Sequence, residues 1–452
     1  MRLKQLSLVL SAAFAATSAH AGFDLLGIGS LSATAHDLSG QSGLLENGVA
    51  GDLLGGMGSG LAWAGGNTFL ALPDRGPNAV TYNSAVDDTA SYIARFQTVT
   101  LNVSSVPSGS LPYTVTPTLT STTMLWSDTP LNYGAGGAPS INTTGKYYFT
   151  GRSDGFGAGN SLVGSNARLD PESIRMSNDG KSVFVSDEYG PYVYQFDRGT
   201  GQRTRTYTLP GNLGVSNVNA QGALEISGNT SGRLANKGME GLAISPDGKT
   251  LVGVMQSPLI QDGGKNGTSV RLVTIDVETG ATKQYAYKLD STSNTISEVV
   301  FANDHTLWLD ERDGKGLGDG SKAVTKKVFQ VDLNNATNDV SGLSGDAALG
   351  AVAIAGKTQV LDVKKTLSAA LGGDAMVPAK IEGMAVASMT IDGVATPVLV
   401  VANDNDFVAT ATPNGSTTAV ANPNLFAVYR ISGDTAAGIV TQRPCPSRLA
   451  TR

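Results

Sequence analysis

The chain has one cysteine, three histidines and no apolar run beyond its N-terminus long enough to cross a bilayer. A lone Cys445 excludes an intrachain disulfide and reads as an inert tail thiol. Past residue 21 only His36 and His305 remain, which argues against a multi-histidine zinc site. Two histidines and no Gly-x-Ser-x-Gly turn leave little for a serine triad, and no Gly-rich loop ends in Gly-Lys-Ser/Thr. An excess of positive charge is also missing. The 32 Lys and Arg against 38 Asp and Glu give a net charge of −6, without the basic footprint that nucleic acid requires. A mildly acidic surface is compatible with cation binding.

What is present begins with an export pattern. Arg2 and Lys4 precede the apolar run 6–16, and Ala19-His20-Ala21 supplies small residues where a signal peptidase reads. Residues 1–21 are therefore expected to be a signal peptide. Residues 22–452 are expected to be one soluble domain, periplasmic or secreted, monomeric and without stable membrane insertion. The 56 glycines lie between short apolar runs, a sign of many tight turns and short strands.

The runs repeat. Asp170-Pro171-Glu172-Ser173-Ile174 leads through the turn Asn178-Asp179-Gly180 and a strand-like Ser182 to Val185 into Ser186-Asp187-Glu188. The plan recurs from Met239-Glu240-Gly241-Leu242-Ala243 to Gln256-Ser257-Pro258, from Ser297-Glu298-Val299-Val300 to Asp310-Glu311-Arg312, and from Ile381-Glu382-Gly383-Met384-Ala385 to Asp404. A weaker copy runs from Gly58-Ser59-Gly60 to Pro73-Asp74-Arg75-Gly76, and Gly145 to Arg152 resembles a strand pair of a further unit. The expectation is an all-β, single-domain β-propeller of about six four-stranded blades, with 104–139 and 201–237 as insertions and a helix at Lys364 to Leu371.

In a propeller, equivalent positions form rings. Glu172, Glu240, Glu298 and Glu382, each opening a unit, are expected to converge at one mouth of the channel. Asp187, Asp310 and Asp404 are expected beside them, with Asp74-Arg75, Glu188 and Gln256 at similar places. Glu172 to Asp187 and Ser59 to Asp74 are both offsets of 15 residues, and Glu240 to Gln256 is 16. Clustered carboxylates without His or Cys favour a hard cation, Ca²⁺ before Mg²⁺. The metal candidates are Glu172, Asp187, Glu240, Glu298, Asp310, Glu382 and Asp404. The catalytic candidates are Asp74, Arg75, Arg152 and Glu188, with Asp74 or Glu188 as base and Arg75 over the substrate. Arg152-Ser153-Asp154 is the candidate partner of the Asp74-Arg75 turn. The competing reading makes these acids structural, as strand-end caps or partners of Arg. The Gly-rich segment from Asp313 to Gly320 lacks the final Glu of an EF-hand loop and reads as a flexible hairpin.

Asp74-Arg75-Gly76-Pro77, Asp170-Pro171-Glu172, Ser186-Asp187-Glu188-Tyr189-Gly190-Pro191, Met239-Glu240-Gly241-Leu242-Ala243 and Gln256-Ser257-Pro258-Leu259 together resemble the signature segments of the "esterase-like activity of phytase" family, over roughly Gly58 to Ile431. The resemblance implies an exported propeller with an acid-rich active site and a calcium-dependent hydrolase of phosphate esters, acting on a small anionic substrate. Ser173 and Val299 stand where the family pattern has Gly, and Ser59 where it has Glu. Two alternatives remain open: a lactonase or esterase propeller whose calcium grips a carbonyl, and a non-catalytic binding module riveted by calcium.

Overall fold

The computed structural model describes residues 22–77, 89–153, 159–190 and 193–444. The signal segment, Asn78, Asp154, Pro191, Tyr192 and Cys445 lie outside them.

Each unit hides apolar side chains on both faces of its strands. In Thr250–Met255, every residue after Thr250 is buried. A sheet of this kind must be covered twice, and the chain does so by placing blade against blade. The turns show the repetition at atomic detail. Asp179 Oδ1 accepts from Ser177 Oγ (2.6 Å) and Lys181 N (3.0 Å), and Asp247 Oδ1 accepts from Ser245 Oγ and Lys249 N at the same distances. Ser and Asp bind their own turn more readily than they continue a strand.

The described residues form five four-stranded antiparallel sheets. Their innermost strands are Gly60–Trp63, Pro171–Met176, Met239–Ile244, Thr295–Phe301 and Lys380–Ile391, opening blades 1 to 5. Each packs on the next, and the fifth returns to the first. Five apolar clusters fill the five blade-to-blade interfaces. Blade 5 takes its outermost strand from the other end of the chain: Phe23–Leu31 pairs antiparallel with Asn424–Ile431. That strand closes the ring and removes an open edge.

The propeller expectation holds, with five blades in place of about six. The segment read as a sixth unit supplies only Tyr147–Tyr148, paired with Trp126–Ser127 in a short ribbon. Its Phe149 is spent filling the cluster between blades 1 and 2, so it has no face left for a blade of its own. The supposed insertions also contain blade strands. Tyr113–Met124 is the fourth strand of blade 1, and Arg203–Tyr207 that of blade 2. The expected helix is Val363–Leu371, capped by Asp362, whose side chain accepts from Lys365 N at 2.9 Å. No helix among the described residues is long and apolar enough to cross a membrane.

Candidate functional site: a carboxylate-rich cavity on the propeller axis

The innermost strands of blades 2 to 5 each carry a bulge near the acid that opens the unit. The register to the second strand slips between Pro171 and Ile174, Met239 and Gly241, Ile296 and Glu298, and Ile381 and Met384. A bulge inserts one residue and re-aims a side chain. When blades are matched by this register, Ser59, Glu172, Glu240, Ser297 and Glu382 share one level, and Gly60, Ser173, Gly241, Glu298 and Gly383 the next. Glu298 therefore occupies the glycine level, one residue away from the other acids. There is little room there: a Cβ on Gly241 would come within 3.0 Å of Glu298 Cα.

The offset decides what Glu298 does. Its carboxylate meets Arg175 Nη2 at 2.8 Å, Ser173 Oγ at 2.9 Å and Val299 N at 2.9 Å. Arg175 in turn donates to the carbonyls of Leu61 (2.5 Å) and Val299 (2.9 Å), so it ties blades 1, 2 and 4 together. Arg175 and residues 440–442 share the lining of a hollow that none of these acids lines.

A second ring follows the same register. Glu188 N donates to Asp170 O and Gln256 N to Gly238 O, both at 2.9 Å, while Thr295 pairs with Arg312 and Lys380 with Asp404. The ring is thus Asp74, Glu188, Gln256, Arg312 and Asp404. Asp187 falls one residue short of it. Its Oδ1 accepts from Asp170 N (3.0 Å) and Tyr189 N (3.1 Å), and burial pushes its carboxyl up to about 8. Asp310 falls two short and lies opposite Glu298, fully buried, with neither oxygen hydrogen-bonded.

The two rings enclose a cavity of about 330 Å³. Of the expected residues, Asp74, Arg75, Glu172, Glu188, Glu240 and Glu382 line it, and Asp404 adjoins it through Lys380 Nζ at 2.9 Å. Glu298, Asp187 and Asp310 do not line it. Neither does Arg152, which reaches Glu46 Oε1 at 3.0 Å. The sequence reading missed Lys237, Arg312 and Lys380, all of which line the cavity. Arg312 binds Glu382 and Ser297 Oγ (2.6 Å), and Lys380 also binds Asp406. The signal for Arg312 was its place right after Asp310-Glu311. A register count, rather than a search for acids, would have put it in the ring.

Two acid clusters meet here. Oxygens of Asp170, Glu172 and Glu188 lie within 4.8 Å of one another, as do those of Asp74, Asp404 and Asp406. Arg75 serves the first, with Nη1 3.1 Å from Asp170 Oδ2, and Lys380 the second. Burial, then the charges of Glu240, Asp170, Glu188 and Asp74, hold Glu172 well above the usual carboxylate range. Burial and the neighbouring Glu188 and Glu382 do the same to Glu240, whose Oε2 is buried without a hydrogen bond. Burial and Asp404 raise Asp74 likewise. Glu188 reaches about 7, raised by burial and Asp170 and relieved by Arg75 and Lys237. Buried acids pressed together in this way favour either shared protons or a cation. An all-oxygen donor set with one carboxylate oxygen unsatisfied fits a hard divalent ion.

The chain is similar to several known proteins. An "Uncharacterized secreted protein" of Arthroderma benhamiae is 27% identical over 364 residues, covering 67% of this chain and 68% of the relative. Among solved structures, Kuenenia stuttgartiensis hydrazine synthase is similar with TM-score 0.32 and 11% identity, over 80% of this chain and 97% of that one. The Cps50 (Swd1) β-propeller domain of Myceliophteria thermophila gives TM-score 0.29 and 8% identity, over 83% of each chain. The family model described as "Phytase-like: Esterase-like activity of phytase" matches residues 52–407, and the chain belongs to that family.

Proposed function

We propose that this chain is an exported, calcium-dependent hydrolase of phosphate esters. The observation that carries the reading is the cluster of Asp170, Glu172 and Glu188, of which the latter two line the same cavity as the cations Arg75, Lys237, Arg312 and Lys380. Export is supported by the pattern of residues 1–21 and by the secreted relative. Asp170 and Glu172, with Glu240 beside them, would hold the ion, leaving Glu188 unligated. Calcium bound there supplies charge neutralisation at the phosphoryl group and makes water more acidic.

The residues divide the remaining work. Arg75 and Lys237 orient the phosphoryl oxygens and offset their growing charge. Glu188, raised to about 7, is poised to accept a proton near neutral pH. It takes the proton of the attacking water as the oxygen bonds to phosphorus. The phosphorus–oxygen bond to the alcohol then breaks, and the proton passes to the departing alkoxide. Asp74 is less suited as base, because burial beside Asp404 holds its proton on.

The test is turnover of 4-nitrophenyl phosphate and bis(4-nitrophenyl) phosphate, with calcium or with chelator. Expected is calcium-dependent release of nitrophenol, reduced about 100-fold or more in Glu188→Gln with folding unchanged. Turnover of lactones alone would move the reading to a lactonase. Inactivity on every ester, with calcium binding intact, would move it to a binding module.

A further inference from the structure

Of the cations that line the axial cavity, Arg75, Arg312 and Lys380 are neutralised where they stand, by Asp170, Glu382 and Asp404. Lys237 is held differently. Its Nζ donates to the side-chain carbonyl of Gln256 at 3.0 Å, and it forms no ion pair among the described residues. Two carboxyls attract it from farther off, Glu188 and Glu240, while Arg312 and Lys380 repel it. Of the two acids, Glu240 keeps its proton well above the usual carboxylate range.

Both partners stand on fixed supports. Lys237 ends a tight turn, where its N donates to Leu234 O at 3.1 Å. The turn is anchored on blade 2 from both sides. Before it, the buried Arg233 donates from Nε to Tyr189 O at 2.6 Å, and after it, Gly238 N donates to Glu188 Oε1 at 3.0 Å. Gly238 lies flush with blade 2, since a Cβ there would come 2.1 Å from Glu188 O. Gln256 is buried and follows the strand Thr250–Met255 of blade 3. Its level in the second ring is held by acids in blades 1, 2 and 5, so the amide is the exception beside the one lysine without an acid of its own. A carboxylate in its place would cancel the ammonium charge. The amide holds the ammonium by its oxygen, and it also hydrogen-bonds Glu240, which an ionised carboxylate could not do as a donor.

We propose that Gln256 is a positioning residue for anion binding: it fixes Lys237 through a neutral group and so keeps that positive charge available to the phosphoryl group. The inference rests on the phosphate-ester reading and identifies what keeps an acid-rich cavity receptive to an anion. Charge left uncancelled at a fixed point favours a negative ligand there, whereas a lysine paired with a carboxylate must give up that partner first.

The experiment is calorimetric binding of inorganic phosphate to the calcium-saturated protein, with calcium kept below the solubility of its phosphate and melting curves to confirm folding. The variants are Gln256→Leu, Gln256→Glu, Lys237→Met and the Lys237→Met/Gln256→Leu pair. Gln256→Leu is expected to weaken phosphate binding about tenfold, equivalent to about 1.4 kcal/mol, and to have no further effect once Lys237 is gone. Gln256→Glu is the discriminating variant. It keeps the length and an oxygen for Lys237, so a merely structural prop would be restored by it. Here it is expected to bind phosphate at least as poorly as Gln256→Leu. Wild-type affinity in Gln256→Glu, or an equal loss from Gln256→Leu with and without Lys237, would overturn the inference while leaving the hydrolase reading in place. A wild type that binds no phosphate would sink the phosphate-ester reading and this inference with it.

Discussion

Asp310, two residues short of the second ring, shows how much a single buried residue can cost. Its level in blades 2, 3 and 5 is held by Ser186, Val254 and Ala402, none of them charged. Burial pushes its carboxyl up to about 8, against the partial relief of Arg312 and Lys326. The folded chain thus holds a proton that the unfolded chain releases near pH 4. Stability linked to this group is full below the unfolded value and is lost as pH rises toward 8. Asp310→Asn removes that dependence. Its stability relative to wild type is expected to improve by about 4 kcal/mol between pH 5 and pH 9, measured by urea unfolding. An unchanged difference across that range would show that the carboxyl titrates normally. Glu298 differs in its partners, since Arg175 and Ser173 bond to its carboxyl, although burial still pushes it up to about 7.

At the scale of the element, the sequence shows blades plainly and registers poorly. Ser-x-Asp-Gly turns and apolar strands recur with the chemistry that makes them, so four of the five innermost strands were legible from their acids and the fifth from Gly58-Ser59-Gly60. The bulges were not legible. Nothing in Ser297-Glu298 says that serine takes the acid's level, because the slip is set by pairing with Glu311 and Asp310 across the strand. One residue of slip exchanges one face for the other. That is why Glu298, Asp187 and Asp310 were expected at the mouth, while Arg312 was passed over. The closing strand was missed for another reason. Phe23–Leu31 has its partner some 400 residues away, and no local signal announces so distant a pairing. Its importance is testable. Phe23 packs edge-on against Trp308 at 5.2 Å in the cluster of blades 4 and 5, and Leu26 lies in the cluster of blades 1 and 5. Phe23→Ala and Leu26→Ala are each expected to cost about 3 kcal/mol in urea unfolding. In separate clusters, their effects should nearly add. Negligible losses would mean that the ring closes without this strand.

The whole molecule ties acid, cation and stability together. Closing five blades brings Asp74, Glu172, Glu188, Glu240 and Asp404 from four blades to one cavity, where burial raises all of them and Glu188 and Asp404 reach about 7. Without a bound cation, the folded chain carries more protons than the unfolded chain from about pH 4 upward. Its stability must then fall as pH rises through neutrality, since each step toward alkali removes protons that only the fold was holding. Calcium acts in the opposite sense. It binds the deprotonated carboxylates and binds the folded state selectively, so its stabilisation should grow with pH. Melting curves at pH 5 and pH 8, in calcium or in chelator, separate the two effects. In chelator the melting temperature is expected to be lower at pH 8 than at pH 5. Calcium at about 100 times its dissociation constant should restore roughly 2.7 kcal/mol at pH 8 and little at pH 5. A calcium shift of the same size at both pH values would place the ion away from these acids, and a chelated protein that gains stability with pH would mean that their carboxyls are not held protonated by the fold.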